Sequence, residues 1–261
     1  MNYLWDSSQY ARISNLQSSV ADDLINDLAI KPDENVLDLG CGLGNLTMNI
    51  ATIAEKGQVL GIDTSPFMIE QAKKSLLLRG MSNVRFQVMS AAELRLDSQF
   101  DVVFSNSVLH WIKEQEDTLR SIRRCLKAGG RIGLQFPLLD ASHPLVALAQ
   151  EAIHSLQLGW KYVAWQFPWF VPESQDAYAD LLRNASFKEV NVRQHETSYT
   201  FETVSTVYGF LSSVGFDLFL QPLSPEEGAS LKEAVIKLLT SRATENEVRL
   251  DFRWLYVRAT A

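Results

Sequence analysis

The chain has 261 residues, with 24 basic and 31 acidic side chains, a net charge of −7 and a hydrophobic fraction of 46%. A chain of this length buries most of its unfolded surface and needs no disulfide or metal staple. The acidic balance excludes a whole-chain basic footprint for nucleic acid or an anionic membrane surface.

Two cysteines, Cys41 and Cys125, make neither a disulfide framework nor a zinc signature. No apolar run approaches the ~20 residues of a membrane span. Residues Met1 to Tyr10 include Asp6 and lack the basic-then-apolar order of a secretory signal. A cytoplasmic, metal-free monomer acting on a small molecule is expected, with no membrane or nucleic-acid partner.

In chain order, a polar start leads into a helix on which Leu16, Val20, Leu24 and Leu28 recur at helical spacing, and Pro32 ends it. Val36 to Leu39 is a short apolar strand that runs into a glycine-rich turn. A helix over Leu46 to Ala54, a strand over Gln58 to Ile62 ending at Asp63, and a helix opened by Pro66 and reaching Arg79 follow. Val84 to Val88 and Phe100 to Phe104 read as strands. Thr118 to Leu126 reads as a helix stopped by Ala128-Gly129-Gly130, and Arg131 to Phe136 as a strand. This alternation predicts an α/β, doubly wound, mostly parallel sheet.

After Pro137 the rhythm loosens. Helices are expected over His143 to Leu156, Tyr178 to Asn184, Val204 to Val214 and Pro225 to Thr240, with strands over Phe187 to Val192 and Val248 to Val257. Between them Trp160, Tyr162, Trp165, Phe167, Trp169 and Phe170 crowd one segment. The expected division is an N-terminal helical cap over 1–30, an α/β core over 31–140, and a substrate cap with late strands over 141–261.

The sharpest signal is Asp38-Leu39-Gly40-Cys41-Gly42-Leu43-Gly44, at a strand end and opening a helix. Ligands of open α/β sheets bind beyond the carboxyl ends of the strands. A dinucleotide fingerprint needs G-x-G-x-x-G, but the third glycine arrives one residue early, and Asn45 holds the fingerprint position. Asp38 just before the turn repels a pyrophosphate and attracts a cation. Asp63, at the end of the next strand, can hold ribose hydroxyls. Together the two acids favour a nucleoside cofactor with a positive end, S-adenosylmethionine.

With these residues in view, the chain resembles the class I S-adenosylmethionine-dependent methyltransferases. The glycine turn resembles their cofactor fingerprint, Gly61 to Met68 their second cofactor segment, and Leu126 to Gly130 the turn before their fifth strand. The resemblance implies a Rossmann-like seven-stranded sheet and S-adenosylhomocysteine as product. It assigns Asp38, Gly40 and Gly42 to the methionine part, Asp63 to the ribose, and Thr64 and Met68 to the adenine border. It also places Tyr10, Cys41, Ala91 and Asn106 in the cofactor site. Ser90 stands where many relatives have an aspartate facing the adenine amino group, so Ser90 or a backbone carbonyl is expected to take that contact.

Phe104-Ser105-Asn106-Ser107-Val108-Leu109-His110-Trp111 further resembles a segment of three carboxyl-methylating groups. They are the trans-aconitate, malonyl-carrier-protein and juvenile hormone acid methyltransferases. Trp5, Tyr10 and Leu16-Gln17 resemble the N-terminal segment of the first and third groups, and Asp251-Phe252-Arg253-Trp254 a strand of the third. By this resemblance Gln17 and Trp111 hold the acceptor carboxylate. A carboxylate is already ionised at neutral pH and needs alignment, not a base. An alcohol, phenol or amine acceptor needs a base, and His110 is the alternative in that role. The intact glycine turn also fits a cofactor-binding protein without catalysis. The aromatic segment, with Trp160 and Trp165, reads either as an acceptor pocket or as the core of the cap.

Overall fold

The computed structural model describes residues 21–244 and 247–261. Seven strands form one sheet: β1 (Val36–Leu39), β2 (Val59–Asp63), β3 (Val84–Val88), β4 (Phe100–Asn106), β5 (Leu126–Pro137), β6 (Lys188–Phe201) and β7 (Val248–Thr260). Their order is β3-β2-β1-β4-β5-β7-β6. β7 alone runs opposite to the other strands, pairing antiparallel with both β5 and β6. Strand order reverses between β1 and β4, which places the ligand crevice at their carboxyl ends.

One face of the sheet is covered by residues 21–28 (α1), α2 (Asn45–Ile53) and α3 (Pro66–Arg79), around a core that includes Leu28, Met48, Ala72 and Phe104. The other carries α4 (Gln115–Cys125) and α6 (Gln175–Asn184), packed through Leu119, Ile122, Tyr178 and Leu182 onto Leu39, Val103 and Leu134. Strand residues alternate between these cores because successive side chains point to opposite faces.

The last two strands do more than complete the sheet. Pro137, the end of β5, pairs with Trp254, yet the β6–β7 ladder continues to the pair Phe201–Val248. A two-stranded ribbon of roughly 20 Å at 3.3 Å per residue therefore projects past the carboxyl end of β5. On it α5 (Pro144–Ser155), α7 (Val204–Ser213) and α8 (Pro225–Arg242) build a second core with Leu148, Phe210, Leu231 and Phe252.

Several boundaries differ from the sequence reading, three of them instructively. Helix α4 begins at Gln115, three residues early, because its polar first side chain is buried and donates to the Leu109 carbonyl at 2.7 Å. The helix ends at Cys125, and Ala128-Gly129-Gly130 lie inside β5. There Gly129 takes φ +75°, and the ladder slips between the pairs Phe100–Leu126 and Val102–Arg131. Strand β6 continues nine residues past Val192 to Phe201, since an edge strand with both faces largely wet shows no apolar alternation. Among the described residues, no helix is long and apolar enough to cross a membrane.

Candidate active site

The turn after β1 is pinned to β2 by two bonds, as the Gly40 and Cys41 amides both donate to the Ile62 carbonyl at 2.8 and 2.9 Å. Two glycines meet different demands. Gly40, at φ +71°, lies so close to Val108 that an added Cβ would stand 2.1 Å from Cγ2. Gly42, at φ +52°, would send a Cβ into open space. One glycine lets the protein close on itself, and the other keeps a cradle clear.

Two carboxylates flank the cradle. Asp38 is 2% exposed and accepts the Thr47 hydroxyl at 2.6 Å. Burial raises its pKa to about 7; the Thr47 bond opposes the shift, and the nearby charge of Asp63 adds to it. Asp63 accepts the Gly42 amide on Oδ2 at 3.0 Å and the Ser65 amide on Oδ1 at 2.8 Å. Each of its oxygens keeps a lone pair for a further donor.

The remaining predicted cofactor residues follow at the ends of β2, β3 and β4. Thr64 is exposed, while Met68 is buried one turn into α3, whose first turn Ser65 caps. Ser90 caps the short helical turn Ala91–Glu93 by accepting the Ala92 amide at 3.2 Å, which leaves its hydroxyl proton available, and Ala91 is buried beneath it. Asn106 closes β4 with a buried Oδ1 that has no hydrogen-bond partner, and the Ser107 hydroxyl beside it is likewise buried and unpartnered. Asp38, Gly40, Cys41, Gly42, Asp63, Thr64, Met68, Ser90, Ala91 and Asn106 thus gather at one edge of the sheet. Tyr10 and Gln17 lie outside the described residues. The Cys41 thiol is buried, and burial with the two nearby carboxylates pushes its pKa upward, the opposite of a reactive thiolate.

His110 and Trp111 sit just beyond β4. His110 is 4% exposed, and its Nδ1 has no hydrogen-bond partner. Burial, with His143 nearby, lowers its pKa to about 3. The Trp111 ring lies 5.2 Å from His110 and 5.6 Å from Trp169. Rings continue outward from Trp169 to Phe167 at 5.2 Å and from Phe167 to Trp165 at 6.0 Å.

The aromatic segment divides between core and pocket. Trp169 is core, at 3% exposure. Trp165 lines a pocket of about 450 Å³ with Ile153, Tyr162, Phe167 and Phe219. Trp160 is 67% exposed under the Lys161 ammonium and does not line that pocket. Among the buried polar groups that the sequence reading did not single out, one has both ends unmet. Gln135 lies within the strand read over Arg131 to Phe136, and neither end of its buried amide has a partner.

A glycine cradle between two carboxylates, on a sheet of order β3-β2-β1-β4-β5-β7-β6, defines the nucleoside-sulfonium-binding methyltransferase class. The methyltransferase domain family matches residues 30–198, and the chain belongs to it. Among its relatives are the trans-aconitate 2-methyltransferases of Methylobacterium radiotolerans and Methylobacterium nodulans, both 27% identical. The first alignment covers 90% of this chain and 88% of the relative, the second 98% and 97%. The same enzyme of Acidovorax ebreus is 28% identical over 92% of this chain and 89% of its own. Among solved structures, the YcgJ protein of Bacillus subtilis superposes with a TM-score of 0.61 at 15% identity, covering 92% of this chain and 97% of that one. At such identity the likeness is one of fold.

The protein works with S-adenosylmethionine, which when bound supplies an electrophilic methyl on a cationic sulfur. The residues fit that group. The space over Gly42 admits a ligand, the buried Asp38 offers a carboxylate to a positive end, and Asp63 has free lone pairs for vicinal hydroxyls. The unpartnered Asn106 Oδ1 can accept a donor at the end of β4. Among the described residues, no cluster of three or more His, Cys, Asp or Glu is arranged to hold a metal ion.

Proposed function

We propose that this methyltransferase transfers its methyl group to the carboxylate oxygen of a small or lipophilic organic acid. The observation that carries the reading is the burial of His110, which is 4% exposed with no hydrogen-bond partner on Nδ1 to orient or activate it. With its pKa lowered to about 3 by burial, the imidazole is neutral and too weakly basic to deprotonate an alcohol or phenol at neutral pH. A carboxylate asks for no such step, and trans-aconitate 2-methylation is the activity named for several relatives.

In this reading the chain orients and dries the reactants. Asp38 and Asp63 fix the cofactor, Trp111 donates its indole N–H to one carboxylate oxygen, and Gln17 donates to the other. Neutral donors suit an attack in which charge disperses, because a tight ion pair holds the ground state more strongly than the transition state. Two cations of the cap are already engaged. Lys161 pairs with Glu227 at 3.0 Å, and Arg253 pairs with Asp140. With the apolar pocket at Trp165, this favours an acid with a lipophilic body over a tricarboxylate.

The test is a screen of organic acids with labelled S-adenosylmethionine. The expected product is a base-labile methyl ester. An ether or a methylated amine would return His110 to the role of base, and cofactor binding without turnover on any acceptor class would favour the non-catalytic alternative.

A further inference from the structure

We infer that Gln135 is an acceptor-positioning residue, its amide reserved for the carboxylate that receives the methyl. The inference rests on the carboxylate reading above. Gln135 is 1% exposed, and neither its Oε1 nor its Nε2 has a hydrogen-bond partner. A buried amide with both ends unmet is costly, and native proteins rarely keep one without use.

Its place in the sheet says what the use is. Gln135 pairs with Asn106 across the β4–β5 ladder and with Tyr256 across β5–β7, so the three side chains share a face. That face also carries Asp38, which lies level with Phe104, two residues before Asn106. Gln135 therefore stands one strand beyond Asn106, away from the glycine turn and toward the cap. The helix α1 runs back along the same face. Leu28 packs where a Cβ on Gly133 would stand, and the charges of Asp27 and, to a lesser degree, Asp23 act on Tyr256, the partner of Gln135.

The polar set at this spot includes the Gln135 amide, the Tyr256 hydroxyl, Asn106 Oδ1 and the Ser107 hydroxyl, all unpartnered and each neutral. Arg193, the guanidinium that reaches the row, stacks on Tyr256 at 4.3 Å and lies 3.7 Å from Asp27, so its charge is engaged. A neutral N–H₂ donor with no partner of its own suits one carboxylate oxygen. It does not suit a phosphate or a second carboxylate, which would call for a free cation.

The experiment compares the wild type with Gln135→Met, a change of shape small enough to keep the sheet packed. The acceptors are straight-chain acids from butanoate to dodecanoate, together with trans-aconitate. If Gln135 is kept for the acceptor, the variant melts higher by about 2–4 °C, since an unmet buried amide is gone. Its kcat/KM for any methylated acid falls at least about tenfold, the size of one lost hydrogen bond to a charged group. Its affinity for S-adenosylhomocysteine stays the same. A lower melting temperature, or an unchanged kcat/KM, overturns the assignment. If neither protein methylates any acid, the carboxylate reading fails, and the melting temperature alone decides whether the amide is structural.

Discussion

The Gly42 amide donates to Asp63 Oδ2 at 3.0 Å, so the tip of the glycine turn is held by the acid that ends the neighbouring strand. One side chain both shapes the cradle and faces its contents. Removing it with Asp63→Ala is expected to lower affinity for S-adenosylhomocysteine at least about thirtyfold, the loss of one or two hydrogen bonds to a charged group. Titration calorimetry measures this, and an unchanged affinity would place the ribose elsewhere.

The two glycines should separate stability from binding. Gly40→Ala forces a Cβ to within 2.1 Å of Val108 at a left-handed backbone position, and is expected to cost about 2 kcal/mol or more of stability. Gly42→Ala meets no protein atom within 4 Å. It should cost only about 1 kcal/mol of backbone strain, while weakening cofactor binding at least about tenfold because the methyl enters the cradle. Denaturant melts and calorimetry on both variants check the pattern, and a reversed pattern would mean the cradle is not the ligand space.

Asp38 makes cofactor binding pH-dependent. Its carboxyl is ionised near pH 4 in the unfolded chain but only near pH 7 when folded. Between those values the folded state holds the extra proton, so this group makes the ligand-free protein less stable as pH rises through the window, with no further change above it. A positive ligand end beside the carboxylate lowers its pKa again, so binding at about pH 6.5 should release a proton. Calorimetry in buffers of different ionisation enthalpy counts that proton. Asp38→Asn should abolish the release, weaken binding, and stabilise the ligand-free protein at alkaline pH by at least about 1 kcal/mol.

The proposed cofactor half of the site could be read as a candidate from the sequence because its residues are local. The turn, its two acids and the Ser65-Pro66 helix start lie in short segments whose residue types are dictated by backbone conformation and charge. The proposed acceptor half draws on distant parts of the chain and was less legible. Gln135 is one polar letter in an apolar strand, and what distinguishes it is the absence of a partner, which no sequence pattern records. Strand β6 was cut short for a related reason. Arg193 to Glu196 carry no apolar signal, and it is pairing with β7 that makes them a strand.

A second long-range device fixes α1 to the sheet. Arg131 forms a two-pronged pair with Glu34, both bonds at 2.8 Å, and also donates to the Leu28 carbonyl at 2.7 Å. The two side chains are only 14% and 12% exposed, so little solvent screens them. Despite its partial burial, the Arg131 bonds hold the Glu34 pKa below its ordinary value. The contribution is therefore present above about pH 4.5 and lost as pH falls through the lower, folded value. Arg131→Met is expected to destabilise the protein by about 2–3 kcal/mol, read by urea melts at neutral pH. A loss under about 0.5 kcal/mol would mean that α1 is held by its apolar face alone.

The pH profile of turnover separates the two kinds of acceptor. At saturating cofactor, a pre-ionised carboxylate gives a rate that is flat from about pH 6.5 to 8.5, because neither the acceptor nor His110 changes protonation there. His110→Gln should then be mild, within about threefold, since the Phe170 amide bonds the His110 backbone carbonyl and that contact survives. Gln17→Ala and Trp111→Phe should each lower kcat/KM about tenfold or more without bending the profile, as expected for donors that align a nucleophile. An alcohol or phenol acceptor predicts the reverse, a rate that climbs with pH and a large defect in His110→Gln. For that outcome the imidazole pKa would have to rise from about 3 toward neutrality when the acceptor binds, and a ¹⁵N titration of His110 in the ternary complex would show the shift directly.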